Sequence, residues 1–152
     1  MDRQRAPGWR AGIGWQRGQA LVETALVLPL LLVLAFGVIG VGRVTQARMG
    51  VDAVAREAAR SAALASDPGN ALSQGTARGQ AVAAGYGLTN GSLQLAVDVG
   101  QFDPGGEVQA SAGYTVSFGD LPLLGWAQLA VSSTHAERID LYRSRWTAGS
   151  GT

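Results

Sequence analysis

The single histidine of the chain, His135, lies among side chains that could take part in hydrolysis. The neighbouring hydroxyl and carboxyl groups belong to Ser132, Ser133, Glu137 and Asp140. A catalytic histidine needs a nucleophile within hydrogen-bond reach and a partner that orients it. The sequence has no G-x-S-x-G segment, which presents the serine of many hydrolases. We therefore interpret His135 as a structural or exposed residue, and we predict no catalytic residues and no enzyme.

The other polar groups do not predict a cofactor or a metal site. The absence of cysteine removes thiolate ligands and thiol nucleophiles. Asp98, Asp103 and Glu107 flank a turn, but their spacing differs from that of a calcium-binding EF-hand loop. The glycine-rich segment 85–91 lacks the Lys-Ser/Thr pair of a phosphate-binding loop, so we interpret it as the exit of a helix. The formal net charge of +1 indicates no nucleic-acid partner.

A carboxylate inside a long apolar run is the strongest functional signal of the sequence. Between Arg17 and Arg43 the only charged residue is Glu23. A bilayer core requires about 20 apolar residues. An ionised side chain there costs on the order of 2.5 to 3.5 kcal/mol at the centre of the helix and less near its end. The run therefore predicts a transmembrane helix over residues 19–42 in which Glu23 has a function. The alternative is that Glu23 reaches the headgroups beside Arg17 and does nothing further.

Within this span, Pro29 removes the hydrogen bond to the carbonyl of Ala25 and predicts a bend in the helix.

A cleaved secretory signal fits the apolar run less well than a transmembrane helix does, because the apolar core of a signal is about 7 to 15 residues long and precedes a small-residue cleavage site. Arginines are nearly balanced before and after the span, so charge alone does not set the orientation. The short leader on one side and a folded domain on the other favour a cytoplasmic amino terminus and an extracytoplasmic carboxy-terminal domain in a single-pass protein of the cytoplasmic membrane.

The remaining pattern predicts an α+β fold. Residues 1–18 form a basic, disordered leader, and the membrane helix continues as an amphipathic helix over 43–65 with an alanine-rich face. The Asp67-Pro68 start signal predicts a second helix over 68–84. Residues 92–142 alternate with a period of two around a turn at 103–106, which predicts a three-stranded antiparallel sheet. The long helix covers this sheet within an extracytoplasmic domain over 43–142, and residues 143–152 form a flexible tail.

Three segments carry a resemblance to a known family. They are Arg17–Glu23 (RGQALVE), Ala25–Leu32 (ALVLPLLL) and Ala55–Arg60 (AREAAR). In this order they resemble the TadE-like family, pilin-like proteins of the tight-adherence (Tad) pilus, which is of the type IV pilus class. The resemblance implies a pilin-like fold for the α+β domain.

The resemblance also implies roles for individual residues. A prepilin peptidase would cut after Gly18, Gln19 would become the new amino terminus, and Glu23 would be the fifth residue of the mature chain. Many Tad prepilins carry tyrosine after this glutamate, whereas this chain has Thr24. The freed amine of one subunit would pair with Glu23 of its neighbour and fix the register between membrane helices. The implied partners are the membrane, the prepilin peptidase, the major pilin, other minor pilins and the Tad inner-membrane platform proteins.

Two functions remain open from the sequence. The first is a minor pilin or pseudopilin that takes part in assembly of a Tad-type pilus for surface adhesion. The second is an uncleaved, membrane-tethered extracytoplasmic binding domain. The sequence does not distinguish a place in the fibre, at its tip or in the assembly platform.

Overall fold

Two helices and three strands occur in the order α1, α2, β1, β2, β3 in the computed structural model. The structure describes residues 13–89, 92–122 and 124–141, with side chains from residue 18 onward. The chain divides into two units, Met1–Ile39 and Gly40–Thr152. The α+β fold predicted from the sequence, with a long amino-terminal helix and a three-stranded antiparallel sheet, is confirmed.

Helix α1 (Ile13–Ala63) contains the whole predicted membrane span. It begins at Ile13, six residues before the predicted boundary at Gln19. The predicted disordered leader, residues 1–18, is thus helical from Ile13 onward, whereas residues 1–12 lie outside the described part of the chain. The predicted tail, residues 143–152, also lies outside it.

In the second unit, the distal half of α1 buries a face of small side chains. Alanines and valines at helical spacing form this face, and the buried members are Ala47, Val51, Val54, Ala55, Ala58, Ala59, Ala62 and Ala63. Ala58 and Ala59 pack with Ala110 of the sheet, while Ala62 packs with Val108. Because the side chains are short, the helix lies close to the sheet, as the alanine-rich face predicts. Leu64 does not join this face, since α1 ends at Ala63 and Leu64 is 70% exposed.

Helix α2 (Pro68–Gly85) begins at the signal read from the sequence. The carboxylate of Asp67 accepts a hydrogen bond from the backbone N–H of Asn70 at 2.9 Å, and Pro68 occupies the first turn. Small residues recur every fourth position along its buried face, namely Ala71, Gly75, Gly79 and Ala83. A Cβ at Gly75 would lie 3.0 Å from the Cβ of Ala62 in α1. These glycines therefore allow close contact between the two helices.

The sheet has the order β1-β2-β3, with both pairs antiparallel. Its strands are β1 (Leu93–Asp98), β2 (Glu107–Ser117) and β3 (Gln128–Arg138). Alternate β2 residues from Val108 to Val116 point toward the helices, and those opposite them in β3 include Val131 and His135. At the far end, the N–H of Ile139 donates to the carbonyl of Gly106 at 2.8 Å, which joins the β1–β2 loop to the end of β3.

Candidate functional site

The first half of α1 carries large apolar side chains that no other part of the described chain covers. Leu26 and Leu30 are 73% and 68% exposed, and the neighbouring leucines and valines are similar. Burying one such side chain is worth about 1.5 to 3 kcal/mol, so a whole helix of them in water is unfavourable. The helix is long and apolar enough from Gly18 onward to cross a membrane. It therefore indicates a single-pass membrane anchor.

Glu23 lies on this exposed helix in a shallow depression. The depression is lined on one side by Ala20 and Thr24 and toward the middle of the helix by larger apolar residues, Val27, Leu28 and Leu31. The hydroxyl of Thr24 donates to the carbonyl of Ala20 at 2.9 Å, so it is engaged within the helix. The short side chains at positions 20 and 24 leave room beside the carboxylate for a group from another helix. The structure thus leaves space for Glu23 to pair with the amino terminus of a neighbouring subunit. This pairing stays a prediction.

Gly18 and Gln19, the predicted processing site, are both exposed and helical. A Cβ built on Gly18 would meet nothing within 4 Å. Gln19 lies four residues before Glu23, so the two side chains share one face of α1. Cleavage between Gly18 and Gln19 remains a prediction. Within the described residues, Gly18 does not pack against any other part of the chain.

Pro29, the predicted kink, lies in the interior of α1. Its flanking residues Leu28 and Leu30 are exposed, like the rest of this half of the helix. The bend itself stays a prediction.

The polar residues around His135 are occupied with structural contacts. Nε2 of His135 lies 3.8 Å from Oε2 of Glu137, and Oγ of Ser133 donates to Oδ1 of Asp52 on α1 at 3.1 Å. Asp98 accepts a hydrogen bond from the N–H of Gly100 at 3.0 Å, within its turn. Over residues 18–89, 92–122 and 124–141, no three His, Asp or Glu side chains are grouped so that they could hold a metal ion.

An ion pair that sequence reasoning missed fastens α1 to the β2–β3 loop. Nη1 and Nη2 of Arg43 donate to Oδ1 and Oδ2 of Asp120, each at 2.6 Å. These hydrogen bonds lower the pKa of Asp120 below its ordinary value. The two residues are 77 positions apart, and no local pattern could pair them. The opposite charges of the two residues are the only sequence feature that could have indicated this ion pair.

Comparison with known proteins gives one match. No curated protein and no solved structure matches the chain. A family model does match, and it covers residues 18–60 of the 152. The matched segment begins at the glycine of the predicted processing site, includes Glu23 and Pro29, and ends within the alanine-rich part of α1. The matching model is that of the TadE-like proteins, so the chain is similar to TadE-like proteins over residues 18–60.

Proposed function

We propose that this protein is a minor pilin or pseudopilin that takes part in assembly of a Tad-type pilus, of the type IV class, for surface adhesion. The observation that carries the proposal is the TadE-like match over residues 18–60, which includes Glu23, the only charged residue between Arg17 and Arg43. An uncovered helix of this kind suits lateral packing, either in lipid or against the helices of other subunits. The amino terminus lies inside the cell, and the α+β domain lies outside the cytoplasmic membrane.

Processing by a prepilin peptidase after Gly18 is the first step of this proposal. The leader carries Arg17 directly before the glycine, which places the bond at the polar edge of the apolar run. Cleavage leaves Gln19 as an amino terminus that is positively charged near neutral pH. The new charge lies at the start of the membrane helix and on the same face as Glu23.

Glu23 then sets the register between subunits. A carboxylate and an ammonium about 4 Å apart attract by about 4 kcal/mol at an effective dielectric constant near 20, compared with about 1 kcal/mol in water. The pair forms when the amine of one copy meets Glu23 of the next, and any axial shift of one helix separates the charges. Packing of apolar side chains alone would tolerate several such shifts, as in helical bundles that lack a polar register residue. The partners in this assembly are the major pilin, other minor pilins and the inner-membrane platform proteins.

Coexpression of the full chain with its matching prepilin peptidase tests the processing step. We expect the mature protein to begin at Gln19. The Gly18→Leu variant should remain uncleaved. Gly37→Leu is the matched control, because a Cβ at either glycine meets nothing within 4 Å and both lie in the exposed half of α1. An intact leader on the wild-type chain after coexpression would overturn the proposal and favour the uncleaved, membrane-tethered binding domain.

Replacement of Glu23 tests the register role. The Glu23→Gln variant keeps the shape of the side chain and removes its charge. We expect normal processing but loss of the protein from sheared fibres, or loss of fibres. Thr24→Val is the control, since it changes a polar neighbour whose hydroxyl bonds only within its own helix turn. Normal fibre assembly by Glu23→Gln would show that the carboxylate has no register role.

A further inference from the structure

The β2–β3 loop, of which the structure describes residues 118–122 and 124–127, carries a tryptophan close to the point at which the apolar run of α1 ends. We propose that this loop rests in the headgroup region of the membrane that α1 crosses, with Trp126 as its interfacial anchor. The proposal depends on the membrane anchor and not on cleavage or on a pilus. The occupant of this surface is the lipid bilayer.

The contacts of the loop fix its position along α1. Phe118, at the start of the loop, lies next to Gly40, where an added Cβ would be 3.6 Å from Cε1 of the phenylalanine. Two residues later, Asp120 is held by the bidentate ion pair with Arg43. Gly40 to Arg43 is the turn in which the apolar run ends and the next charge after Glu23 appears. The loop therefore begins at the depth expected for the boundary between hydrocarbon and headgroups.

Four backbone hydrogen bonds lie within the described part of the loop. The N–H groups of Leu121, Leu124 and Ala127 donate to carbonyls three residues earlier, at 2.8, 3.2 and 2.8 Å. The N–H of Phe118 donates to the carbonyl of Ala127 at 3.3 Å, which closes the loop at its base. Entry into a bilayer interface is costly for backbone groups that lack partners. These internal hydrogen bonds reduce that cost and hold the loop in shape.

The side chains of the loop suit the interface between water and lipid. Trp126 is 84% exposed, more than any other large apolar residue described in the second unit. An indole ring has a broad apolar face and a polar N–H, and tryptophan is accordingly enriched where membrane proteins meet the headgroups. The carboxylate of Asp120 would oppose entry if it were unpaired, but the guanidinium of Arg43 neutralises it there.

Fluorescence of the full chain in vesicles tests the proposal. The variant replaces Trp9, Trp15 and Trp146 with phenylalanine, so that Trp126 is the only fluorophore. It is reconstituted in phosphatidylcholine vesicles with bromine atoms either near the headgroup end or near the methyl end of the acyl chains. We expect strong quenching by the shallow bromines, weaker quenching by the deep ones, and protection from acrylamide in the aqueous phase.

The control places the only tryptophan at the other end of the domain, by adding Trp126→Phe and Leu64→Trp. Residue 64 lies 24 positions beyond Gly40, or roughly 35 Å along a helix. This control should be quenched by acrylamide and not by either brominated lipid. If Trp126 behaves like the control, the loop does not touch lipid and the proposal is overturned. Protection from acrylamide without bromine quenching would also overturn it, because the loop would then be covered by protein.

Discussion

The close contact between α2 and α1 at Gly75 predicts how substitution of this glycine changes the stability of the domain. Gly75→Ala should destabilise the domain, although alanine is the better helix former by about 1 kcal/mol. The new Cβ would lie 3.0 Å from the Cβ of Ala62, 3.1 Å from the carbonyl oxygen of Ala58 and 3.4 Å from Cγ1 of Val97. The first two atoms belong to, or are bonded directly to, the backbone of α1, so they cannot move aside by a side-chain rotation. One helix must shift as a body.

The expected magnitude follows from two opposing terms. Overpacking a well-packed interior costs about 1 to 3 kcal/mol. The gain in helix propensity of about 1 kcal/mol offsets part of this, which leaves a net loss of about 0 to 2 kcal/mol. Gly85→Ala is the matched control in the same helix, because a Cβ there meets nothing within 4 Å. Gly75→Ala should therefore be less stable than Gly85→Ala by about 1 to 3 kcal/mol.

The assay is guanidinium-induced unfolding of the full chain in detergent micelles, followed by far-ultraviolet circular dichroism. The midpoint of Gly75→Ala should fall below that of Gly85→Ala with a similar slope. If the two variants unfold at the same denaturant concentration, α2 can move away from α1 at no cost. The inference that these glycines set the helix separation would then be wrong.

Two further predictions concern the core and the start of α2. Val54→Ala, at a fully buried position of α1, should lower the free energy of unfolding by about 2 to 3 kcal/mol in the same assay, because two methyl groups are lost and a cavity remains. The hydrogen bond from the N–H of Asn70, followed by that from Ser66, lowers the pKa of Asp67 below its ordinary value. Its contribution to stability is therefore present above its pKa in the unfolded chain and is lost as the pH falls through the lower folded value. Asp67→Asn keeps a cap oxygen but does not titrate, so its unfolding midpoint should fall less on acidification than that of the wild type. An equal fall in both proteins would contradict this.

Local signals in the sequence predicted the elements well. The Asp67-Pro68 signal located the start of α2, since capping and the proline act on neighbouring residues. Alternating residues located the strands for the same reason, because a strand exposes its two faces in turn. The predicted sheet extends to residue 142, whereas its last strand ends at Arg138. The turn that follows is fixed by hydrogen bonds to Gly105 and Gly106 in another loop.

Contacts between distant parts of the chain could not be predicted in this way. Ser133 meets Asp52 across 81 positions, and neither residue has a distinctive neighbour in sequence. Helix propensity alone makes Gly75 and Gly79 weak points of α2. In the structure both glycines lie against α1, which their propensity does not indicate. The four-residue spacing with Ala71 and Ala83 was the signal that could have revealed it.

The two halves of α1 differ in the size and burial of their side chains. This difference predicts that substitutions in the first half affect assembly and that substitutions in the second half affect the stability of the domain. Up to Ile39 the large apolar side chains of the helix are exposed, apart from the half-buried Phe36, whereas from Ala47 onward it carries alanines and valines buried against the second helix and the sheet. The buried second set stabilises the domain, and Glu23 lies among the exposed residues of the first set. A change at Glu23 should therefore leave unfolding of the domain unaffected while it alters assembly. If Glu23→Gln lowered the unfolding midpoint as Val54→Ala does, a defect in fibres could no longer be assigned to the register of the membrane helices.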